Sequence, residues 1–586
     1  MINYRKGNYI MKFSTIPYTR ANIDEICRQY EKITEDLKNA ADAEEVFSAI
    51  LKHEKLLRNF STMRALAYIR HSIDTTDSFY DKENSYYDEA EPRYQEASQR
   101  FMLTLINSTY QSAVAEKYGS LLFTNIELEL KSFSPDIIPE LTEENRLVSE
   151  YQKLIASAQI DFDGKMCNLS QLGAYKVNPD RALRRAAYEA EGKFYQSISD
   201  KLDMLFDDLV KIRTTMAKKL GYKSFTELGY LRRCRNCYGP EEVAAFRRQV
   251  IDDLVPIVTK IKEMQRERIG APEGKLNLFD DPFIFAEGNP KPVGTPADIL
   301  AAGKRMYEEM SPDTAKFINF MYQNELFDVE AKKGKAVGGY CTSLPDYNAP
   351  FIFSNFNGTS GDVDVLTHEA GHAFASYKSS NYELLELSSP TIEACEVHSM
   401  TMEFMAWPWL SLFYGKDAER ARFAHLSSAL VFIPYGCMVD HFQHIIYDNP
   451  SLTPEQRHEE WARLEKIYRP YLSLQSTPFY AEGRGWQRQL HIYHYPFYYI
   501  DYCLAQTVAL KFFALSQKDY KDAWQRYLAF VNAGGTKTFV QLCMSARLPS
   551  PFERGSLSDV SRVVNDYLDE YNKKQSGFTR SGGKNG

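Results

Sequence analysis

The chain has 586 residues, 44% hydrophobic and 25% charged, which suffices for a large core and excludes collagen-like, fibrous and disordered classes. Lys+Arg 70 against Asp+Glu 78 leaves a net charge of -8, so no general attraction to phosphate backbones or anionic lipid exists. Nucleic acid and membrane are not expected partners.

The first ten residues carry the basic pair Arg5 and Lys6 without a following apolar stretch or small-residue cleavage site. No secretory signal is expected, and Met11 is a candidate start. From Thr19 to about Tyr195 apolar and aromatic residues recur at three and four, with charged residues between and few glycines; this predicts long antiparallel helices. The run L-R-R-C-R-N-C-Y-G-P then sets Cys234 and Cys237 at redox-motif or half-zinc-site spacing, but no second pair or Cys/His run accompanies them. The nine cysteines, spread from Cys27 to Cys543, do not resemble a disulfide framework, and reduced thiols in a cytoplasm are expected.

Around Gly270 to Pro296, Gly, Pro and Asn crowd into an irregular segment, a long loop or lobe junction. A helical stretch from Pro296 to about Phe327 precedes G-G-Y-C-T-S-L-P-D-Y-N-A-P-F-I-F-S-N-F-N-G-T-S-G, in which Phe351 to Phe356 reads as a short strand. Helical texture returns from Asp362 to near Asn572, and the last residues read as a frayed tail. The apolar segment Met400 to Tyr414 contains Glu403 and Pro408, which makes it too short to span a bilayer. The predicted organisation is mainly α, with a helical N-terminal region over 1–200, a second region over 201–574 and a flexible tail over 575–586.

The chemistry concentrates in Val365-Leu366-Thr367-His368-Glu369-Ala370-Gly371-His372-Ala373-Phe374, an H-E-x-x-H run. Four residues apart on a helix, the two imidazoles lie on one face about 6 Å apart along the axis and can reach one ion, with Glu369 beside it. Thr359 and Asp362 suggest a capping box that starts this helix. The competing reading is a pair of partly buried histidines bonded to backbone. A catalytic zinc site needs a third protein ligand and an open position. Ser389-Pro390 reads as an N-cap and first turn of a helix carrying Glu393, Glu396 and Glu403 on one face. That stripe is either solvated or supplies the ligand.

Three blocks make the chain similar to the oligoendopeptidase F type of the thimet oligopeptidase family of zinc metallopeptidases, a gluzincin group. They are N-F-N-G-T-S-G-D-V-D-V-L-T-H-E-A-G-H-A-F; Glu396-Val397-His398-Ser399-Met400-Thr401-Met402-Glu403, which resembles the family's E-x-x-S-x-x-x-E; and the His- and Tyr-rich run from Trp486 to Tyr502. The resemblance is strongest from about Gly338 to Gln506. It implies one zinc ion per chain, held by His368, His372 and Glu396, with Glu369 as general base. It also implies that His491, Tyr499 and Tyr502 stabilise the reacting carbonyl, with His494 and Tyr498 as the competing residues in that run. Glu403, with Asp364 as rival, would orient a zinc-bound imidazole.

The implied fold is a two-lobed helical shell around a deep substrate channel, with a small β element beside a thermolysin-like H-E-x-x-H helix. The implied activity is hydrolysis of internal bonds in short unstructured peptides. For substrate binding, the strand Phe351 to Asn357 is expected to offer an exposed edge on which a peptide adds as a strand. The alternatives are a catalytically silent helical peptide-binding relative and a metal or redox protein centred on Cys234 and Cys237. Nothing in the sequence sets the oligomeric state.

Overall fold

The computed structural model describes residues 11–581; the basic pair before Met11 and residues 582–586 lie outside that range. The first three long helices are α1 (Ile23–Lys38), α2 (Ala43–Ile73) and α3 (Ser78–Ile106). Each begins on an Asx side chain, Asn22, Asp42 or Asp77, which accepts a backbone N–H of the first turn. In α1 the residues at helical spacing, Ile23, Ile26, Tyr30, Ile33 and Leu37, are the buried ones, so periodicity and burial agree.

Helix α4 (Ile138–Ala156) is followed by an antiparallel hairpin, β1 (Ile160–Phe162) with β2 (Lys165–Cys167), inside the region expected to be wholly helical. Its turn is Asp163-Gly164, both with positive φ, 52° and 71°, a dipeptide and conformation suited to tight hairpins. Next come α5 (Arg181–Lys219), α6 (Phe225–Arg232) and the two-residue strand β3 (Leu276–Asn277). The irregular segment around β3 is fastened to α5, because buried Asp280 accepts from Arg181 at 2.8 Å and Arg184 at 2.7 Å.

Helices α7 (Pro296–Met310) and α8 (Pro312–Gln323) lead into β4 (Phe327–Glu330), β5 (Tyr340–Leu344) and β6 (Ala349–Phe356), then α9 (Ser360–Ser379) and α10 (Ile392–Met405). The remaining principal elements are α11 (Ala418–Asp448), β7 (Leu472–Ser473, parallel to β3), α12 (Leu490–His494), α13 (Tyr499–Ser516), α14 (Tyr520–Val531) and α15 (Ser558–Ser581). The fold is mainly α. Val560, Val564, Leu568 and Tyr571 bury one side of α15.

The chain forms two compact units, interleaved along the sequence. One contains Met1–Leu130, Lys291–Ala418 and Leu515–Arg547; the other contains Lys131–Pro290, Glu419–Ala514 and Leu548–Gly586. These units cut across the linear division at residue 200 that the sequence suggests. The helical run Ile392–Asp448 has a window apolar enough to cross a membrane by length and composition, but 67% of that window is buried inside the protein, as in a core helix.

In the first unit the strands form one sheet in the order β4-β6-β5. Strand β6 pairs in parallel with β4 and antiparallel with β5, so the stretch expected to be an exposed edge is the middle strand. The near-continuous apolar run Ala349 to Phe353 is buried throughout, which suits a strand covered on both faces. The edges belong to β4 and β5, whose outer sides pair with no strand among the described residues.

Candidate metal centre

The turn from β6 into α9 sets the position of the H-E-x-x-H run. The Asp362 carboxylate accepts the backbone N–H groups of Asn357 at 3.0 Å and Gly358 at 2.6 Å, while the Thr359 hydroxyl donates to Asn357 Oδ1 at 2.7 Å. The expected capping box is therefore replaced by a longer reach of Asp362 beyond the Ncap residue, and Thr359 makes no cap bond with its side chain. Helix α10 starts at Ile392 with Thr391 as its Ncap residue, two residues later than the Ser389-Pro390 signal suggests.

Helices α9 and α10 cross in backbone contact at Gly371. A Cβ there would lie 2.6 Å from Ser399 Cα and 2.7 Å from the His398 carbonyl oxygen, distances no side chain tolerates. His368 and His372 flank that crossing on α9, and Glu396, one turn before Ser399, faces them from α10. Glu396 Oε2 lies 3.4 Å from His368 Nε2 and 3.5 Å from His372 Nε2, and Ser399 Oγ donates to the same oxygen at 3.2 Å. Ser399, the Ser of E-x-x-S, is thus a site residue that sequence reasoning misses.

His368 Nδ1 meets Glu403 Oε1 at 2.7 Å, so of the two candidate partners for a ligand imidazole Glu403 is the one bonded to His368. Burial opposes the charged form of the His368 imidazole, but Glu396 and Glu403 outweigh it and raise its pKa well above the ordinary value. Burial likewise pushes Glu396 up, yet His372 and His368 hold it below the usual carboxylate range. The Glu369 carboxylate is pushed up by burial, opposed by both imidazoles and by a hydrogen bond from the backbone N–H of Cys341 on β5.

His368, His372 and Glu396 offer ligand atoms all within 4.8 Å of one another, the one such group of three among the described residues. Ligands about 2.0–2.1 Å from a tetrahedral zinc stand about 3.3–3.4 Å apart. The two Glu396–imidazole separations match that spacing and are long for hydrogen bonds, so these residues fit zinc. Cys234 and Cys237 belong to no such group, and no disulfide joins any of the nine cysteines. Glu393, the third member of the acidic stripe, is buried and accepts the Thr391 hydroxyl at 2.7 Å. His398, adjacent in sequence, is buried and held neutral, its pKa pushed down to about 3 by burial.

The second unit gathers the Trp486–Tyr502 run by itself. The His491 ring lies 4.9 Å from Tyr499, 5.8 Å from Tyr498 and 5.9 Å from Tyr502, centroid to centroid. Its Nδ1 faces Gln489 Nε2 at 3.0 Å, and Gln489 in turn accepts the Tyr435 hydroxyl at 2.8 Å. His494 instead stacks on Tyr495 at 3.7 Å and meets Gln152 at 3.4 Å. The turn before α13 carries Phe497 with φ of 63°, a left-handed conformation costly for an aromatic residue. It is held by Gln443, which accepts the Phe497 N–H at 2.9 Å, and by Arg235, which donates to the Phe497 carbonyl and to Asp501. Fully buried Arg213 donates to the Ile492 and Tyr493 carbonyls.

The chain is similar in sequence and fold to known proteins. The peptidase M3 N-terminal domain matches residues 13–133, and peptidase family M3 matches residues 174–286 and 313–560. The oligopeptidase PepF of Bacillus subtilis (strain 168) is 23% identical over 557 residues, 88% of this chain and 80% of its own. A solved structure of PZ peptidase A with an inhibitor is 47% identical with a TM-score of 0.90, covering 95% of this chain and 99% of that one. An oligoendopeptidase F from Enterococcus faecium shares the fold at 16% identity and a TM-score of 0.63, over 94% and 97% of the two chains. With the metal-ligand geometry and these matches together, the chain belongs to peptidase family M3, in its oligoendopeptidase F type.

Proposed function

We propose that the protein is a zinc-dependent oligoendopeptidase of the cytoplasm that hydrolyses internal bonds of short unstructured peptides. The observation that carries this reading is the pair of 3.4 and 3.5 Å separations between Glu396 and the imidazoles of His368 and His372, with Glu369 adjacent. His368, His372 and Glu396 would hold one ion, and Glu403 fixes the ring of His368 through its other nitrogen. When bound, zinc supplies Lewis acidity and a water acidified to a pKa of about 7.

Glu369 removes the proton from the attacking water and returns it to the departing amine as the C–N bond breaks, so the two products are an acid and an amine. The Cys341 N–H orients this carboxylate, and burial keeps its basicity above that of a free side chain against the pull of that hydrogen bond and of the two imidazoles. The substrate backbone adds to the free edge of β5, where main-chain hydrogen bonds read no particular side chain. A cavity of about 580 Å³ borders that strand, lined by Thr342 to Leu344, by Ser61 and Tyr68 of α2, and by Ser376 of α9 one turn beyond His372. His491, Tyr499 and Tyr502 donate to the carbonyl oxygen as it gains charge; this role is carried by the family resemblance.

The test is hydrolysis of quenched fluorescent peptides with chelator and after zinc is restored. Cleavage that stops with the chelator and returns with zinc is expected; cleavage indifferent to chelation would end the proposal.

A further inference from the structure

The run that carries Cys234 and Cys237 has an unassigned cation. Three arginines follow one another there at the C-terminal end of α6. Arg232 pairs with Glu144 at 3.0 Å, and Arg235 pairs with Asp501 at 2.9 Å. Arg233 lies between them in sequence, and no ion pair or hydrogen bond joins its guanidinium to another described residue. Cys234, with φ of 51°, turns the chain immediately after it, and Arg232 and Arg235 lie over other rings, those of Phe225 and Tyr230.

The Arg233 guanidinium lies 5.8 Å from the ring centres of both Tyr495 and Tyr498, within reach of a cation–π contact. Tyr498 in turn lies 5.8 Å from His491. Burial lowers the Arg233 pKa; Asp501 opposes this, while Arg232 and Arg235 reinforce it. A cation drawn partly out of water among other cations, with nearby Asp501 already paired to Arg235, is costly unless a further anion completes it. The helix end favours a positive charge but supplies no acceptor to the five donors of the guanidinium fork. A carboxylate matches that fork in shape and charge.

We propose that Arg233 binds a carboxylate of the peptide substrate beside the His491–Tyr498 face and so sets specificity. This rests on the peptidase reading above. The carboxylate is either the free C-terminus of the peptide or an acidic side chain, and the chemistry is the same for both.

The test is equilibrium binding to the full chain carrying Glu369→Gln, so that turnover does not intervene, read by fluorescence anisotropy of N-terminally labelled octapeptides. Three probes are used: a free acid, the same peptide as its C-terminal amide, and amides with one Glu moved along the sequence. The acid, or one of the Glu-containing amides, is expected to bind about 10- to 100-fold tighter than the plain amide. Whichever probe shows the preference identifies the source of the carboxylate. Arg233→Gln in the same background should bring that ratio to about one, and Arg233→Lys should keep part of it. Unchanged preference in both variants, or no preference for any carboxylate by the parent, would overturn the proposal. Peptides that bind with this preference but are not cleaved by the wild-type, zinc-loaded chain would leave Arg233 its role and remove the peptidase reading instead.

Discussion

Gly371 and Ser399 touch through their backbones, with 2.6 Å between Ser399 Cα and the place a Cβ on Gly371 would occupy. This contact brings the carboxylate of α10 to the histidines of α9, because Glu396 is one turn from Ser399 and the histidines are within one turn of Gly371. Gly371→Ala must push the helices apart. We expect a loss of about 1–3 kcal/mol in stability together with weakened zinc binding, measured by thermal unfolding with and without zinc. A variant with unchanged melting and unchanged zinc affinity would show that the crossing does not set the site.

Glu403 bonds His368 Nδ1 at 2.7 Å, which fixes the tautomer that leaves Nε2 free for a ligand bond. Glu403→Ala should weaken zinc binding by about 10–100-fold, read by competition with a chromogenic chelator. Asp364→Asn should have a much smaller effect on the same measurement.

The H-E-x-x-H run is legible from spacing alone, because both ligand histidines stand four residues apart on one helix. The third ligand was not: Glu393, Glu396 and Glu403 share a stripe, and the choice among them depends on where α10 crosses α9, a tertiary fact. Family resemblance, not periodicity, pointed to Glu396. Strand β6 misled in a different way. Its apolar run marks the strand, but burial on both faces, implied by Ala349 to Phe353, argues for a central position and against the expected edge. The hairpin at Asp163-Gly164 carried a recognisable turn dipeptide that the surrounding helical pattern concealed, and the two-unit division is scattered over distant segments that no local signal connects.

His491 and His494 differ by their surroundings. The first sits among Tyr498, Tyr499 and Tyr502, whereas the second stacks on Tyr495 beside Gln152. His491→Ala should lower kcat by about 10²–10³ while zinc content stays at one per chain, the loss expected for one transition-state donor. His494→Ala should stay within about threefold of wild type. Steady-state kinetics with zinc analysis on both variants checks this, and equal losses would refute the assignment.

Away from the site, buried Glu144 accepts from Arg213 at 2.6 Å and Arg232 at 3.0 Å. Burial would raise its carboxyl, but the two guanidinium groups pull it down to about 2. A carboxylate depressed in the folded state stabilises fully above its unfolded pKa of about 4.5, and that contribution is lost as the pH falls towards 2. The linked contribution is on the order of 3 kcal/mol at neutral pH. Glu144→Gln should therefore melt well below wild type at pH 7, and the gap should narrow steadily from pH 5 downward. A gap independent of pH would contradict the role of the charge.

The most direct measurement pairs zinc content with peptide hydrolysis in two variants of neighbouring function. Glu369→Gln should keep about one zinc per chain yet lose activity by several orders of magnitude, since only proton transfer is removed. Glu396→Gln should lose tight zinc binding along with activity. Wild-type turnover by Glu369→Gln, or undiminished zinc affinity in Glu396→Gln, would contradict the account.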